Sequence, residues 1–400
     1  MFFMYRFDDV INRRHTLSVK WDDTERVFGV KDALPMWVAD MDFPAPPAVI
    51  EALHKRVKHG IFGYTVIPDS LKEAVQHWLQ TRHQWDIDRS WLVFSTGVVP
   101  ALATAIEAFS EEGDRVVVFT PVYPPLFQLV RQHRRMLVTS PLQLKETRYE
   151  IDWGDFTEKI QGAKLLLLCS PHNPGGRVWT KEELEKIGEL CMEHDVIVIS
   201  DEIHADLTFP PNKHVPFASI RPEFAEKSIT CMAPTKTFNL AGLQAAAAII
   251  ANESLRRQFR KVQQRQGFFT LNTFAVVGTE AAYRHGGEWL DALLAYLQEN
   301  IDCVSSYIQT HLPALRIIRP EATYLVWIDC RHLGLTEQQL KQLLLEKGKI
   351  AVEFGSKFGE EGKGFIRMNV ACPRQTLKEA LHRLSIAFAI RLFMMLEITT

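Results

Sequence analysis

The sequence predicts an α/β fold: a mainly parallel β-sheet with helices on both faces, accompanied by a smaller α+β domain. Short and almost wholly apolar runs alternate with longer segments of helical period. Strands that are buried on both faces read as continuous apolar runs, which is typical of parallel sheets. The pattern changes at a long amphipathic segment, 286–313, which shorter strands and helices follow. We therefore expect a large domain over 60–287 and a small domain formed by 1–59 together with 288–400.

The individual elements follow from the same two periodicities. Strand-like runs are short and rich in Val, Ile, Leu and Ala, whereas the helical segments place apolar residues every three or four positions. In chain order we predict a strand at 91–95 leading through a glycine into a helix that ends at 109, strands at 115–120 and 164–170, a helix at 180–194, strands at 195–201, 228–233 and 245–251, the helix at 286–313, and a strand within 322–330.

Composition restricts the class of partner. The chain has 400 residues, of which 46% are hydrophobic, and its 46 basic and 48 acidic residues give a net charge of -2. This is enough apolar material for a large core, and the charge balance argues against a nucleic acid or a membrane surface as the main partner. Small ligands of neutral or mixed charge fit better.

The cysteines and the two termini indicate a cytoplasmic protein. None of the six cysteines forms a C-x-x-C pair, so we expect free thiols and no structural metal site. The N-terminus becomes charged by residue 6, unlike a signal peptide. The C-terminal segment 384–400 is apolar but contains Arg391 and is shorter than the ~20 apolar residues of a membrane span. We interpret it as a helix packed on its own domain; a partner-facing or membrane-associated helix is the alternative.

Candidate functional residues follow the predicted strands, because ligands of open parallel sheets collect at the carboxyl ends of the strands. After the first strand, Gly97 and Val98 begin a helix, whose free N–H groups can bind an anion or form an ordinary turn. Neither a P-loop nor a dinucleotide fingerprint is present. Tyr123 stands between prolines and could stack on a flat ligand or belong to the core.

Two further strand ends carry polar side chains. Asn173 lies in an N-P-G-G turn and could donate to a ligand oxygen or serve only the local backbone. Asp201 ends an apolar strand, where a carboxylate is costly unless it is paired. It could meet a protonated ligand nitrogen or cap a helix.

Lys236 follows the strand at 228–233, with no other charged residue between Lys227 and Glu253. An unpaired lysine in apolar surroundings usually has a shifted pKa or takes part in chemistry. Taken together, the strand ends supply what pyridoxal phosphate requires: a lysine for a Schiff base, a carboxylate for the pyridinium nitrogen, a donor for the phenolic oxygen, a stacking ring and a phosphate cradle.

The ordered motifs resemble one enzyme family. The sequence resembles the fold-type I pyridoxal-phosphate enzymes of the aminotransferase class I/II superfamily, and within it the MalY/PatB branch of cystathionine β-lyases and related carbon–sulfur lyases. This resemblance implies a seven-stranded sheet in the large domain. The motifs occur in the order "WVADMDFPAPPAV", "FGYT", "STGVVPAL", "PVYPPLF", "CSPHNPGGRVW", "SDEIHADL", "APTKTFNLAGL" and "FIRMNVACPR".

The resemblance also implies roles for the cofactor-binding residues. Lys236 would carry the cofactor as a Schiff base and later shuttle protons, and Asp201 would keep the ring nitrogen protonated. Asn173 would bind the phenolic oxygen, while Tyr123 would stack on the ring.

The phosphate and the substrate have their own implied residues. Gly97, Val98 and the hydroxyl of Thr235 would hold the phosphate, and Tyr64 would reach the phosphate of a neighbouring subunit in a homodimer. Arg367 would bind the substrate α-carboxylate as a bidentate pair, with Asn173 and Ala39 also contacting the substrate.

Two departures from the wider superfamily, at His204 and Gln244, and one from the lyase branch, at Thr235, refine the prediction. His204 stands where many aminotransferases have a tyrosine, and "DEIH" favours the lyase branch; His204 would still line the cofactor site. Thr235 replaces the usual serine but keeps a hydroxyl. Gln244 replaces an arginine, so helix-end amides and hydroxyls must balance the phosphate charge.

The predicted reaction is α,β-elimination from L-cystathionine or a related L-cysteine S-conjugate, giving a thiol (homocysteine from L-cystathionine), pyruvate and ammonia. This is a step of methionine biosynthesis in amino-acid metabolism. One alternative is a class I/II aminotransferase that uses the same residues. A second is a regulatory protein that binds a transcription factor.

Overall fold

The larger part of the molecule is built around a seven-stranded β-sheet. A computed structural model describes residues 5–398, with the side chains described through residue 389. The strands within these residues are β1 (Leu34–Pro35), β2 (Leu92–Ser95), β3 (Arg115–Thr120), β4 (Met136–Pro141), β5 (Gln143–Lys145), β6 (Arg148–Glu150), β7 (Ala163–Cys169), β8 (Ile197–Asp201), β9 (Ser228–Met232), β10 (Ala246–Ile249), β11 (Arg316–Ile318), β12 (Leu325–Asp329), β13 (Ile350–Ala351), β14 (Glu353–Phe354) and β15 (Phe365–Asn369).

The helices cover the faces of this sheet and build the rest of the molecule. In chain order they are α1 (Val19–Asp22), α2 (Thr24–Phe28), α3 (Pro47–His59), α4 (Asp69–His83), α5 (Val98–Phe109), α6 (Pro124–Gln132), α7 (Trp153–Lys159), α8 (Lys181–Glu193), α9 (Pro222–Glu226), α10 (Pro234–Thr237), α11 (Glu253–Arg265), α12 (Thr273–His285), α13 (Gly287–His311), α14 (Glu337–Gln342) and α15 (Arg374–Ile398).

The order of the large sheet is β2-β10-β9-β8-β7-β3-β4. Strand β10 runs antiparallel to both of its neighbours, and the remaining pairings are parallel. The predicted fold class, a mainly parallel seven-stranded sheet flanked by helices, is thereby confirmed. The register aligns Cys169 at the end of β7 with Asp201 at the end of β8, so these strands finish at one edge.

Alternating side chains of β3 show how the two faces are buried. Val116 and Val118 enter a core shared with α5 and α11, whereas Val117 and Phe119 enter a core shared with α7 and α8. Period-2 alternation sends successive side chains to opposite faces, so a strand covered on both sides must be apolar throughout. This is the physical reason that the run at 115–120 is an unbroken apolar strand.

A smaller antiparallel sheet follows in the chain, in the order β11-β12-β15-β14. The N-terminal segment joins this part of the molecule, because β1 pairs in parallel with β13. Helix α3 instead contacts α12, with Arg56 Nε donating to Thr273 Oγ1 at 3.0 Å. The division into 60–287 and 1–59 with 288–400 stays a prediction.

Helix α15 contacts α13 and β13. Leu377, Leu381, Leu384 and Phe388 recur at helical spacing and are buried. The side chains of the predicted apolar segment beyond residue 389, including Arg391, lie outside the described residues. Among the residues that are described, no helix is long and apolar enough to cross a membrane.

Candidate active site

A cavity of about 360 Å³ opens at the carboxyl ends of the parallel strands. It lies where β2, β3, β7, β8 and β9 finish, as the sequence predicts. The cavity brings together every residue singled out by the sequence except Tyr64. These residues are Ala39, Gly97, Val98, Tyr123, Asn173, Asp201, His204, Thr235, Lys236 and Arg367, and their assigned roles stay predictions.

Lys236 lies in α10, directly after β9, with its side chain partly buried. Its Nζ donates a hydrogen bond to the carbonyl oxygen of Ala39 at 2.6 Å. Burial lowers the pKa of Lys236 to about 8, with Arg367 adding repulsion while Asp40 and Asp201 act in the opposite direction. A lowered pKa makes a larger fraction of the amine neutral, which a nucleophile or proton acceptor requires.

Asp201 is buried at the end of β8. Its Oδ1 accepts a hydrogen bond from the backbone N–H of Ile203 at 3.2 Å, and no basic side chain of residues 5–389 forms an ion pair with it. Burial raises the pKa of Asp201 to about 7, against the lowering effects of the Ile203 hydrogen bond and of Lys236. The carboxylate is therefore poised for a cationic partner that enters the cavity.

Asn173 and Arg367 form the wall on the side of the small sheet. Arg367 projects from β15, and its Nη1 donates to Asn173 Oδ1 at 2.9 Å while its Nη2 donates to the carbonyl oxygen of Trp37 at 3.1 Å. The guanidinium carbon lies 4.9 Å from the centre of the Phe358 ring. Its Nε is buried without a hydrogen-bond partner, and no carboxylate of residues 5–389 forms an ion pair with it. Such a guanidinium is available to an incoming carboxylate.

Two aromatic side chains, Tyr123 and His204, form another part of the cavity wall. Tyr123 is the residue before α6, and its N–H donates to the carbonyl oxygen of Asn173 at 2.9 Å. Burial, followed by the nearby Asp201 charge, raises the pKa of the Tyr123 phenol, so its hydroxyl keeps its proton. Burial lowers the pKa of His204 to about 3, and its ring, 6.3 Å from that of Tyr324, is therefore neutral.

The remaining wall can receive an anion. Helix α5 begins at Val98, immediately after Gly97, and directs its first N–H groups to the cavity edge, where Thr235 and Gln244 also lie. The residues therefore fit pyridoxal phosphate. The observation that supports this fit is the buried Asp201 carboxylate, which has no cationic partner within residues 5–389 and faces the same cavity as an amine of lowered pKa and a helix N-terminus.

Tyr64 lies outside this cavity. Its side chain is 99% exposed and contacts the ring of Phe269, with 6.1 Å between the centroids. Its neighbours Ile61, Phe62 and Val66 are also exposed. The predicted contact of Tyr64 with a neighbouring subunit's site stays a prediction.

Some residues of the site escaped the sequence analysis. The segment 38–43, which provides the Ala39 carbonyl, is fixed by Asn239, whose side chain accepts from Met41 N and donates to the carbonyl oxygens of Met41 and Phe43 at 2.9 Å each. Glu353, in the two-residue strand β14, also lines the cavity. Neither residue ends an apolar run. The available signal for Asn239 was its place in the quoted motif "APTKTFNLAGL".

Comparisons with known proteins give a consistent result. The family model "Aminotransferase class I and II" matches residues 32–384. The chain is 48% identical over 385 residues to the cystathionine β-lyase PatB of Bacillus subtilis, covering 96% of this chain and 100% of that protein. Cystalysin from Treponema denticola, which contains pyridoxal 5′-phosphate, has a TM-score of 0.94 and 36% identity over 96% of this chain and 99% of its own. A pyridoxal-phosphate-bound C-S lyase from Staphylococcus hominis has a TM-score of 0.90 and 34% identity, with 96% and 98% covered.

Proposed function

This chain belongs to the aminotransferase class I and II family, and we propose that it is a pyridoxal-phosphate-dependent carbon–sulfur β-lyase. It cleaves L-cystathionine or a related L-cysteine S-conjugate. The likeness to cystathionine β-lyase and C-S lyase relatives along nearly the whole chain carries this proposal and favours it over a plain aminotransferase. The amine of Lys236 and the carboxyl group of Asp201, which line the same cavity and have shifted pKa values, support it chemically.

The cofactor has a binding residue for each of its polar groups. When bound, pyridoxal phosphate supplies an aldehyde that condenses with amines and a ring that takes up the electron pair left when a bond at Cα breaks. Lys236 would hold it through Nζ, Asp201 through the ring nitrogen, and Asn173 through the phenolic oxygen. The N-terminus of α5 and the Thr235 hydroxyl would hold the phosphate, with Tyr123 and His204 beside the ring.

Lys236 is the residue that moves the proton at the reacting carbon. With the substrate bound, the free Nζ of Lys236 would accept the Cα proton, and its pKa of about 8 suits a base that works near neutral pH. The carbonyl oxygen of Ala39, 2.6 Å from Nζ, accepts a hydrogen bond from the amine and orients it, so that the nitrogen lone pair stays available to the substrate.

Arg367 orients the substrate for this step. Its guanidinium binds the α-carboxylate, with the Asn173 amide and the backbone of Ala39 alongside. With the carboxylate and the amine both held, the positions of the other two substituents of Cα are set, and with them the bond that faces Lys236. Loss of the Cα proton is followed by cleavage of the Cβ–S bond, and the sulfur leaves as a thiol after taking up a proton. Water then hydrolyses the remaining three-carbon amine to pyruvate and ammonia.

The enzyme acts as a homodimer in this proposal. Tyr64 extends from an apolar surface segment that includes Ile61, Phe62 and Val66 and that packs near Phe269. A cluster of exposed apolar side chains of this kind is typical of a protein–protein contact. We propose that Tyr64 reaches the phosphate group in the partner's cavity.

We propose a cytoplasmic location. The six cysteines of the chain, at 169, 191, 231, 303, 330 and 372, are all free thiols, and five of them are buried. Free thiols persist in a reducing compartment.

The test is pyruvate release from L-cystathionine by the cofactor-loaded protein, compared with the Lys236→Ala variant. We expect pyruvate from the wild type and a loss of at least ~10³-fold in the variant, because the general base and the cofactor attachment are both removed. A circular dichroism spectrum of the variant checks that it is folded. A wild-type protein that releases no pyruvate would contradict the proposal.

A further inference from the structure

The cavity contains a carboxylate that the reaction described above does not use. Glu353 lies in β14, directly opposite Arg367 of β15, and its side chain is only 13% exposed. Residues directly opposite each other on antiparallel strands project to the same face, with Cβ atoms about 4.5–5.5 Å apart. Glu353 therefore enters the cavity beside the arginine that receives the substrate α-carboxylate.

Glu353 does not hold Arg367 in position. The hydrogen bonds of the Arg367 guanidinium go to Asn173 and Trp37 instead. Glu353 Oε2 accepts from Lys357 Nζ at 2.8 Å, and the Lys357 side chain is 48% exposed. An ion pair with so exposed a partner is weak, so another cation can replace Lys357 at little cost.

The charge of Glu353 acts on one side of the cavity. It acts to raise the pKa of Arg367 and that of Tyr123. The charges that act on the pKa of Lys236 are those of Asp40, Arg367 and Asp201. Glu353 therefore lines the cavity on the side formed by Arg367 and β15. A substrate whose carboxylate binds Arg367 therefore occupies the same cavity as the Glu353 carboxylate.

A carboxylate at this position discriminates between substrates by charge. Its negative charge repels an anionic ligand that binds near Arg367. A positive group on the same ligand, close to Glu353, offsets this repulsion. A thioether whose leaving thiol carries its own ammonium group meets this condition.

On the basis of the proposed lyase function, we propose that Glu353 selects S-conjugates with an ammonium group on the leaving thiol, as in L-cystathionine. The distal ammonium donates to the Glu353 carboxylate and displaces Lys357. The contact is a charge-assisted hydrogen bond in a partly enclosed site, so it favours such substrates over neutral ones of the same length.

The experiment compares L-cystathionine with S-(3-carboxypropyl)-L-cysteine, which has the same chain and distal carboxylate but hydrogen in place of the distal ammonium. We expect Glu353→Gln to lower the ratio of the two kcat/KM values, cystathionine over analogue, by about tenfold or more. Lys357→Gln is the matched control, because it removes the competing cation and leaves the carboxylate. Its ratio should stay at the wild-type value or rise.

Binding without turnover gives a second readout. In the Lys236→Ala background, calorimetry should show that Glu353→Gln raises the Kd of L-cystathionine by about tenfold and that of the analogue by less than about twofold. A kcat/KM ratio that is unchanged or increased in Glu353→Gln would overturn the assignment, and so would equal losses of affinity for both ligands. If the wild type releases pyruvate from neither substrate, the lyase function itself fails; pyruvate from both with an unaltered ratio removes only the role of Glu353.

Discussion

At the scale of single residues, the cavity contains an amine and a carboxyl group that burial shifts in opposite directions. The pKa of Lys236 is lowered to about 8 and that of Asp201 is raised to about 7, in both cases mainly because burial disfavours the charged form. In the proposed binding mode, the cofactor's ring nitrogen would face Asp201 and its carbonyl carbon would meet Lys236, so binding would remove the cost of both shifts. The cofactor-free protein is therefore destabilised at the position where it binds.

The Asp201 carboxyl group makes the stability of the cofactor-free protein depend on pH. Its folded pKa of about 7 lies above the ordinary value of 3.8, so its contribution to stability is complete below about pH 4 and is lost as pH rises through 7. Cofactor-free Asp201→Asn should match the wild type near pH 4 and exceed it by about 2–4 kcal/mol near pH 8. Urea unfolding over this pH range measures the difference.

The exposed Asp86 provides the control for this series. Asp86→Asn should leave the pH dependence of the unfolding free energy at its wild-type form. A difference between Asp201→Asn and wild type that stays constant from pH 4 to pH 8 would show that the carboxyl group titrates normally in the folded protein.

Arg367 should act mainly through substrate binding. Arg367→Lys keeps a positive charge but loses the bidentate geometry and the hydrogen bonds to Asn173 and Trp37. We expect kcat/KM to fall about 10- to 100-fold, mostly through a higher KM, which corresponds to ~1.5–3 kcal/mol for a hydrogen-bonded charged group. Steady-state kinetics with L-cystathionine measure this. Arg374→Lys, at the partly exposed start of α15, is the control, and a fall in kcat at constant KM would contradict the assigned role.

At the scale of structural elements, the segment 38–43 connects the N-terminal part of the chain to Lys236. Asn239 binds it from the lysine side, and Asn369 Nδ2 donates to the carbonyl oxygen of Val38 at 2.6 Å. From the N-terminal side, the buried Lys20 forms an ion pair with Asp42 at 2.8 Å, and Arg13 contacts the same carboxylate at 2.7 Å. The position of the Ala39 carbonyl therefore depends on contacts from three parts of the sequence.

Removing the Asn239 side chain should weaken this connection. Its φ of 58° is left-handed, which costs alanine about 1–2 kcal/mol, and three hydrogen bonds are lost as well. We expect Asn239→Ala to lower the free energy of unfolding by about 2–4 kcal/mol and to reduce kcat. Asn239→Gly keeps the backbone conformation and should recover about 1 kcal/mol of this loss. Urea denaturation would contradict the account if both variants unfold like the wild type.

The elements that could be predicted from sequence are those with a strong local pattern. The strand at 115–120 is confirmed with identical bounds, because Asp114 and Pro121 delimit its apolar run. The helix predicted at 180–194 is confirmed as α8, with Thr180 and Glu183 forming its capping box. The antiparallel direction of β10 has no such signal, since a buried strand reads as apolar whichever way it runs.

The same distinction applies to the candidate site. The sequence predicts Asp201 and Lys236 as site residues because Asp201 ends one apolar strand and Lys236 comes shortly after the next, so the topology of the sheet brings them together. Glu353 was missed because β14 has only two residues, and its cavity position arises from pairing with Arg367 of β15. Tertiary pairing of this kind leaves no periodic signal.

At the scale of the whole molecule, the proposed homodimer makes each cavity depend on two chains. A mixture of Lys236→Ala and Tyr64→Ala protomers tests this, because one cavity of each mixed dimer would combine an intact Lys236 with an intact Tyr64 of the partner. Each variant alone should show little pyruvate release at limiting pyridoxal phosphate. Mixing the two variants after partial dissociation of their dimers should restore pyruvate release. If it does not, either Tyr64 acts in its own chain or no dimer forms.

The central claim is that this molecule breaks a carbon–sulfur bond without an amino-group acceptor. The most direct measurement quantifies pyruvate, ammonia and homocysteine formed by the cofactor-loaded protein from L-cystathionine, with and without 2-oxoglutarate. We predict that the three products appear in equal amounts and that the keto acid has no effect on their rate. Turnover that requires 2-oxoglutarate and produces glutamate would contradict the claim and identify an aminotransferase instead.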